Sequence, residues 1–319
     1  MSLRPFLTWV GGKRRAAEDI LAHIEAYTEG PIELYVEPFL GGGAVFLRAL
    51  CENALDLCDH IALSDTNPGL IVLWSRVLWH TEELIAQYNE HVRKAPDFAD
   101  STNEYAAAEA YYNARRRDYN SILDRLEHAG DADLTKLASL LLWINGACHS
   151  GLYRTTRGGV FNTPVRKDGT FSARDVENIR AIARLAGNLR GEIELTVRSY
   201  EDALDAVDGL EDYGDPDHVV IYMDPPYLGK SIDTTESKPF VGYTAAGFDI
   251  YDQAILASHM LRTAGSHVMM YTSNANNRET QKLYGLLTQY QIADTRNISR
   301  SAKTRGKVKD LLVLNHIAG

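Results

Sequence analysis

Val219-Val220-Ile221-Tyr222-Met223-Asp224-Pro225-Pro226-Tyr227 joins an apolar run to an acid, two prolines and a tyrosine. Its first half is a continuous apolar, β-branched run, the signature of a parallel strand buried on both faces. Two prolines then forbid a helix, so the strand ends in a carboxylate, a rigid turn and an aromatic ring. Ligands of open α/β sheets sit beyond the carboxyl ends of the strands, which places Asp224 and Tyr227 at a crevice rather than in the core.

Two earlier segments also carry an acid where an apolar strand ends. Leu34-Tyr35-Val36-Glu37-Pro38-Phe39-Leu40-Gly41-Gly42-Gly43-Ala44-Val45-Phe46 reads as strand, glycine-rich turn and helix start, the layout of a nucleotide-binding first βα turn. A GxGxxG dinucleotide fingerprint would need glycine at position 46, where the chain has Phe46, and a tight turn without a ligand is the alternative. Ile61-Ala62-Leu63-Ser64-Asp65 is a second strand ending in an acid, about 20 residues further on, where a carboxylate accepts ribose hydroxyls. Asp65 or Asn67 would also serve as a helix N-cap before Leu70-Ile71-Val72-Leu73.

The composition is that of an ordinary globular protein, 45% hydrophobic and 24% charged over 319 residues. No apolar run approaches the roughly 20 residues of a bilayer span, and the N-terminus lacks a signal-peptide core, so a cytoplasmic protein is expected. Cys51, Cys58 and Cys148 show no metal or redox spacing and are read as reduced and unligated, and no metal site is expected. The net charge of −10 argues against a nucleic-acid partner only until its distribution is considered. Eight acids and no bases fall within residues 201–217, and they account for all but two charges of the excess. Residues 296–309 carry Arg296, Arg300, Lys303, Arg305, Lys307 and Lys309 with no acid, and a second basic stretch holds Arg154, Arg157, Arg166, Lys167 and Arg174. Solvated loops and a nucleic-acid surface are both compatible with such runs.

From about residue 74 to 191 the strand signal disappears, and apolar residues recur at helical spacing over 106–126 and 134–144. Residues 76–175 are therefore read as an inserted helical domain, with 1–75 and 176–319 forming the sheet domain. Arg115-Arg116-Arg117 is read as a solvated face. The segment 145–164, with four glycines among Asn, Thr and Arg, suits a hairpin able to enter a DNA groove. Further strands are expected at 193–197, 267–271, 291–298 and 308–314, with Ser273-Asn274 as a turn. Helices are expected near 14–24 and 249–261. Residues 228–248 are read as a flap or an irregular surface loop.

Asp224-Pro225-Pro226-Tyr227 resembles the fourth motif of S-adenosylmethionine-dependent amino methyltransferases, and the other segments resemble Dam-type DNA adenine methyltransferases in the same order. Phe6-Leu7-Thr8-Trp9-Val10-Gly11-Gly12-Lys13 resembles the FxxWxGGK signature, which implies that Trp9 and Lys13 line the cofactor pocket. Glu37 to Gly43 resembles EPFxGxG, implying Glu37, Phe39, Gly41 and Gly43 around the methionine part of S-adenosylmethionine. Asp65, Asn67, Leu70 and Ile71 match DxNxxLI and favour Asp65 as the ribose ligand. Ser199-Tyr200-Glu201 resembles the junction near the cofactor's adenine. Gly151, Leu152, Arg154, Gly159, Phe161, Asn162 and Pro164 match the NGL-R-N-GxFNxP segment, and Arg305-Gly306-Lys307-Val308-Lys309-Asp310-Leu311-Leu312 resembles RxKVxELL.

The resemblance implies a Rossmann-like α/β fold: a seven-stranded methyltransferase sheet closed by an antiparallel hairpin, with an inserted helical target-recognition domain. It implies methyl transfer to the N6 amino group of a flipped adenine in double-stranded DNA, by a monomer without metal. Asp224, Pro225, Pro226 and Tyr227 would act on the base, with Asp224 also touching the cofactor, and Arg154, Arg157, Asn162, Lys303, Arg305 and Lys307 would meet the DNA. An N4-cytosine methyltransferase and a nonenzymatic DNA-binding module are the other readings. GATC is the first substrate to try, and Thr155-Thr156, in place of a Tyr-Asn or Val-Asn pair, points to another adenine site as the alternative.

Overall fold

The structure is a computed structural model that describes residues 3–9, 11–28, 30–96, 102–167, 171–209, 218–227, 248–296 and 306–318. Seven strands form one sheet: β1 (Leu34–Glu37), β2 (His60–Asp65), β3 (Glu192–Val197), β4 (Val219–Met223), β5 (Val268–Ala275), β6 (Leu287–Arg296) and β7 (Gly306–Ile317). Their order is β3-β2-β1-β4-β5-β7-β6. The first five are parallel to their neighbours, and β7 runs antiparallel between β5 and β6. Order reverses between β1 and β4, so a crevice opens beyond their carboxyl ends.

Every residue of β1 and β4 is buried, as their unbroken apolar runs require. Alternate residues serve opposite faces. Tyr35, Ile61, Leu63, Val220 and Tyr222 face one core, shared with α1 (Ala17–Tyr27), α2 (Ala44–Cys51), α3 (Pro68–Trp79) and α7 (Val176–Ala186). Leu34, Val36, Ile221, Met223 and Met270 face the other, beneath α8 (Tyr200–Asp208), α9 (Ile250–Arg262) and α10 (Arg278–Leu283). At roughly 1.5–3 kcal/mol per fully buried large apolar side chain, these two layers are the main stabilising term.

Between β2 and β3 the chain builds α4 (Thr81–Lys94), α5 (Thr102–Asp124) and α6 (Asp131–Ala147). From Leu137 to Ala147 every residue of α6 is buried. Packing against α3, α4 and α5 covers it on all sides, which explains why its sequence is apolar all round rather than amphipathic. Helix α3 runs without interruption through residues 75 and 76, and the helices beyond it continue the core of the first sheet face.

Several local expectations are corrected by tertiary contacts. Ser273 and Asn274 are not a turn but lie buried inside β5, which outruns β4 because its far side pairs with β7 as far as Ala275 and Asp310. Their polar groups are met by Tyr222 Oη at 2.8 Å from Ser273 Oγ and by Gln253 Oε1, which accepts from Asn274 Nδ2 at 2.8 Å. Arg116 is not solvated either: its Nη1 donates to the Thr163 carbonyl at 3.1 Å. Helix α10, capped by Asn277, had no expected counterpart. No described helix is long and apolar enough to cross a membrane, and the described residues contain no cluster of three or more metal-ligand side chains.

Candidate active site

The carboxyl ends of β1, β2 and β4 open into a cleft of about 1420 Å³ lined by Glu37, Asp65, Asp224 and Tyr227. Helix α2 starts at its floor, and the glycine turn before it is tightly held. Gly41 and Gly43 have φ of +48° and +62°, a region that favours glycine, and a Cβ on Gly43 would come within 2.4 Å of the Trp74 ring. Trp74 Nε1 donates to the Gly41 carbonyl at 3.0 Å, and Gly41 N donates to Asp65 Oδ2 at 3.0 Å. The other Asp65 oxygen accepts from Asn67 N at 2.9 Å. Burial raises the Asp65 pKa, and these two N–H groups offset only part of the rise. The cap of α3 is Asn67, whose side chain accepts from Leu70 N, so Asp65 stays on the cleft wall.

Glu37 is the buried acid of the floor, 2% exposed. Burial pushes its pKa up to about 8, the hydrogen bond from Tyr35 Oη at 2.9 Å opposes this, and the nearby Asp224 charge adds to it. A raised folded-state pKa means that stability is fully present below the unfolded value near 4.5 and lost as pH rises through about 8. Replacing Glu37 with Gln removes this titration. Urea unfolding of Glu37→Gln beside the wild type should show the variant gaining roughly 3 kcal/mol relative to wild type between pH 5 and pH 8. Parallel stability curves would mean that Glu37 is not held neutral.

At the end of β4, Asp224 is 20% exposed and its Oδ1 lies 3.3 Å from Lys13 Nζ. Lys13 is 3% exposed and lies 3.4 Å from Asp310 Oδ2, on β7. Its ammonium also stands 4.3 Å from the centre of the Tyr227 ring. Tyr227 Oη donates to the same Asp310 oxygen at 2.9 Å. Burial first, then the charges of Asp224 and Asp310, raises the Tyr227 pKa well above the ordinary phenol, so its hydroxyl remains a donor.

Aromatic rings form one side of the cleft. Phe39 stacks on Tyr200 at 5.4 Å and 20°, and Phe248 meets both rings edge-on at 5.8 and 5.6 Å. Tyr200 Oη donates to Asp252 and Glu201 at 3.2 and 3.3 Å. Trp9 lies 5.3 Å from Tyr153 and flanks the glycine turn.

Residues 148–165 return as a hairpin over this cleft, bridged at Thr155 and Phe161 and at Cys148 and Val165. Thr155, Gly158, Gly159 and Val160 line the cleft with Asp224. Phe161 is buried among Tyr119 and Tyr153, and Asn120 of α5 holds its backbone at both N–H and carbonyl, at 2.9 and 3.0 Å. Arg154 Nε donates to Asn162 Oδ1 at 2.8 Å and its Nη2 to the Asn162 carbonyl at 3.2 Å. Arg157 is exposed at the turn. Asn145 ties the hairpin base to the N-terminal segment, through Thr8 N and O at 2.9 and 3.0 Å and the Gly151 carbonyl at 2.8 Å.

Glu37, Phe39, Gly41, Gly43, Asp65, Trp9, Lys13 and residues 224–227 thus share one cleft. Lys303, Arg305 and residues 210–217 and 228–247 lie outside the described residues, as does the Lys307 side chain, although its backbone belongs to β7. Asp310, Phe248, Asn145 and Asn120 have no individual role in the sequence reading: Asp310 lies within the RxKVxELL-like segment, Asn145 and Phe248 at the ends of the expected hairpin and flap segments, and Asn120 in a helix without a local signal.

Comparison with known proteins agrees with this geometry. Residues 9–298 match the family model of the D12 class N6 adenine-specific DNA methyltransferases. The chain is 28% identical to the type II methyltransferase M.MjaIII of Methanocaldococcus jannaschii, over 99% of this chain and 100% of that one. It is 30% identical to the DNA adenine methylase of Escherichia coli strain K12, over 98% of this chain and 95% of that one. With a family match over most of its length, and its sheet and cleft arranged as above, the chain belongs to the D12 class of N6 adenine-specific DNA methyltransferases.

Proposed function

We propose that the cleft binds S-adenosylmethionine against β1 and β2 and brings a flipped adenine of double-stranded DNA to Asp224, Pro225, Pro226 and Tyr227. The observation that carries the reading is the meeting of Asp65, Asp224, Lys13 and Tyr227 in one cleft under the hairpin. At about 1420 Å³ the cleft exceeds the 300–1,000 Å³ of ordinary ligand pockets, leaving room for a base beside a cofactor. The donor set fits that cofactor. Phe39, Tyr200 and Phe248 offer faces and edges for its adenine, Asp65 can accept from ribose hydroxyls, and the Gly41–Gly43 turn lets backbone approach its methionine part. Lys13 is committed to Asp224 and Asp310, so its role belongs to the acceptor side.

Bound there, the cofactor supplies an electrophilic methyl on a sulfonium. The adenine amino nitrogen is a poor nucleophile because its lone pair is delocalised into the ring, and it must leave the base stack to be reached. Tyr227 stacks on the base. The Asp224 carboxylate and the Pro225 carbonyl accept its two N–H bonds, holding the lone pair toward the methyl. Methyl transfer would leave the amino nitrogen with a proton to lose, and Asp224, already accepting that N–H, would take it and pass it to water. Positioning and fixed charge supply the rate.

The helical insertion 76–175 is the proposed recognition unit, with Arg154 reading guanine in the major groove. Asn162 braces Arg154 along its Nε edge, which leaves the Nη1–Nη2 edge in the bidentate geometry that suits guanine. Arg157, at the exposed turn, suits a phosphate, as do Lys303, Arg305 and Lys307. The protein acts as a monomer in this reading. Methylation rates over an oligonucleotide library test it. Arg154→Ala should lower discrimination at one base pair by about 5- to 150-fold, the equivalent of 1–3 kcal/mol, whereas Arg157→Ala should weaken all sites alike and reduce the salt dependence. An unchanged sequence ranking in Arg154→Ala would remove this residue from recognition.

A further inference from the structure

Asp310 is a carboxylate in the body of a sheet, 1% exposed, paired in register with Ala275 of β5 and Ile292 of β6. Its chain neighbours Leu311, Leu312 and Val313 are core residues. Burying a charge there is costly unless it is paired and hydrogen-bonded, and a hydrophobic residue would otherwise be the cheaper occupant. The pairing is specific. One oxygen, Oδ2, meets both Lys13 Nζ at 3.4 Å and Tyr227 Oη at 2.9 Å. Lys13 is thereby shared almost equally between Asp310 and Asp224, at 3.4 and 3.3 Å. Three residues far apart in the chain, Lys13, Tyr227 and Asp310, form one connected unit anchored on β7.

We propose that Asp310 is a positioning residue of the methyl-transfer step, acting through Lys13 and Tyr227; this rests on the reading of Asp224 and Tyr227 given above. Two consequences follow from the geometry. With Asp310 as a second anion, Lys13 does not concentrate its charge on Asp224, whose carboxylate keeps its capacity to accept the adenine N–H. The Tyr227 ring is pinned at its hydroxyl by Asp310 and approached by the Lys13 ammonium at 4.3 Å from its centre, which fixes the ring's orientation for stacking. Asp310 touches neither substrate nor cofactor in this scheme.

The test is single-turnover methylation at saturating cofactor and DNA, with S-adenosylmethionine and DNA affinities measured separately on the same variants. Asp310→Asn keeps the shape and removes the charge. It should slow the single-turnover rate by about 10- to 100-fold, the scale of a small misplacement of reacting groups, while both affinities stay within about threefold of wild type. Asp310→Glu, which restores the charge, should recover part of that loss. An Asp310→Asn rate within about twofold of wild type would overturn the proposal. So would equal losses in the Asn and Glu variants, or a rate loss matched by lost cofactor affinity, since either marks simple packing. If Asp310→Asn does not fold, Tyr227→Phe carries the test: a loss of about threefold or more is expected, and a wild-type rate overturns the pin. Asp224→Ala run alongside separates the two levels. Activity surviving in Asp224→Ala would sink the reading of the site itself, whereas an inactive Asp224→Ala beside a normal Asp310→Asn would sink this inference alone.

Discussion

Asp224→Ala is expected to reduce methyl transfer to adenine by about a thousandfold or more while S-adenosylmethionine still binds. The magnitude follows from electrostatics. Removing one group aimed at developing charge in a closed site costs about 10²–10³ in rate, and Asp224 also orients the nucleophile. Binding is spared because the proposed cofactor contacts are Asp65, the turn after β1 and the rings of Phe39, Tyr200 and Phe248, whereas Asp224 ends β4. The substitution also leaves Lys13 paired with Asp310, so the buried ammonium is not stranded. Transfer of labelled methyl in single-turnover mode, with calorimetry on the same sample, separates the two quantities. A variant retaining a tenth of the wild-type rate would show that Asp224 is not the amino-group acceptor.

The second large effect is expected at Asp65, and it falls on binding. Asp65→Ala should weaken S-adenosylmethionine by about 100-fold, through loss of charge-assisted hydrogen bonds worth roughly 1.5–3 kcal/mol and loosening of the glycine turn. The loosening is predicted because Asp65 Oδ2 accepts from Gly41 N at 3.0 Å. Asp65→Asn separates the two contributions: its amide oxygen can still accept from one backbone N–H, but the charge is gone. Calorimetry giving unchanged affinity in Asp65→Ala would take Asp65 out of the cofactor site.

What the sequence makes legible is what depends on neighbours in the chain. The apolar runs ending at Glu37, Asp65 and Met223 are read directly because a strand buried on both faces admits little else. The glycines before α2 and the prolines after β4 mark turns for steric reasons that are equally local. Ser273 and Asn274 mislead for the opposite reason. They are polar, yet they sit inside β5, since their side chains find Tyr222 and Gln253 across the fold. Arg116 looks solvated by composition and is spent on the hairpin carbonyl of Thr163. The cluster of Lys13, Asp224, Tyr227 and Asp310 brings together three distant parts of the chain. Its members are visible singly as motif letters, but their pairing depends on β7 lying beside β5, and no periodicity encodes that contact.

The most direct test of methyl transfer by this cleft is to incubate the purified protein with methyl-labelled S-adenosylmethionine and unmethylated duplex DNA, then digest the DNA to nucleosides and identify the labelled product. Label in N6-methyladenine, absent with Asp224→Ala, is the predicted result. Label in N4-methylcytosine, or N6-methyladenine formed equally well by Asp224→Ala, would contradict it.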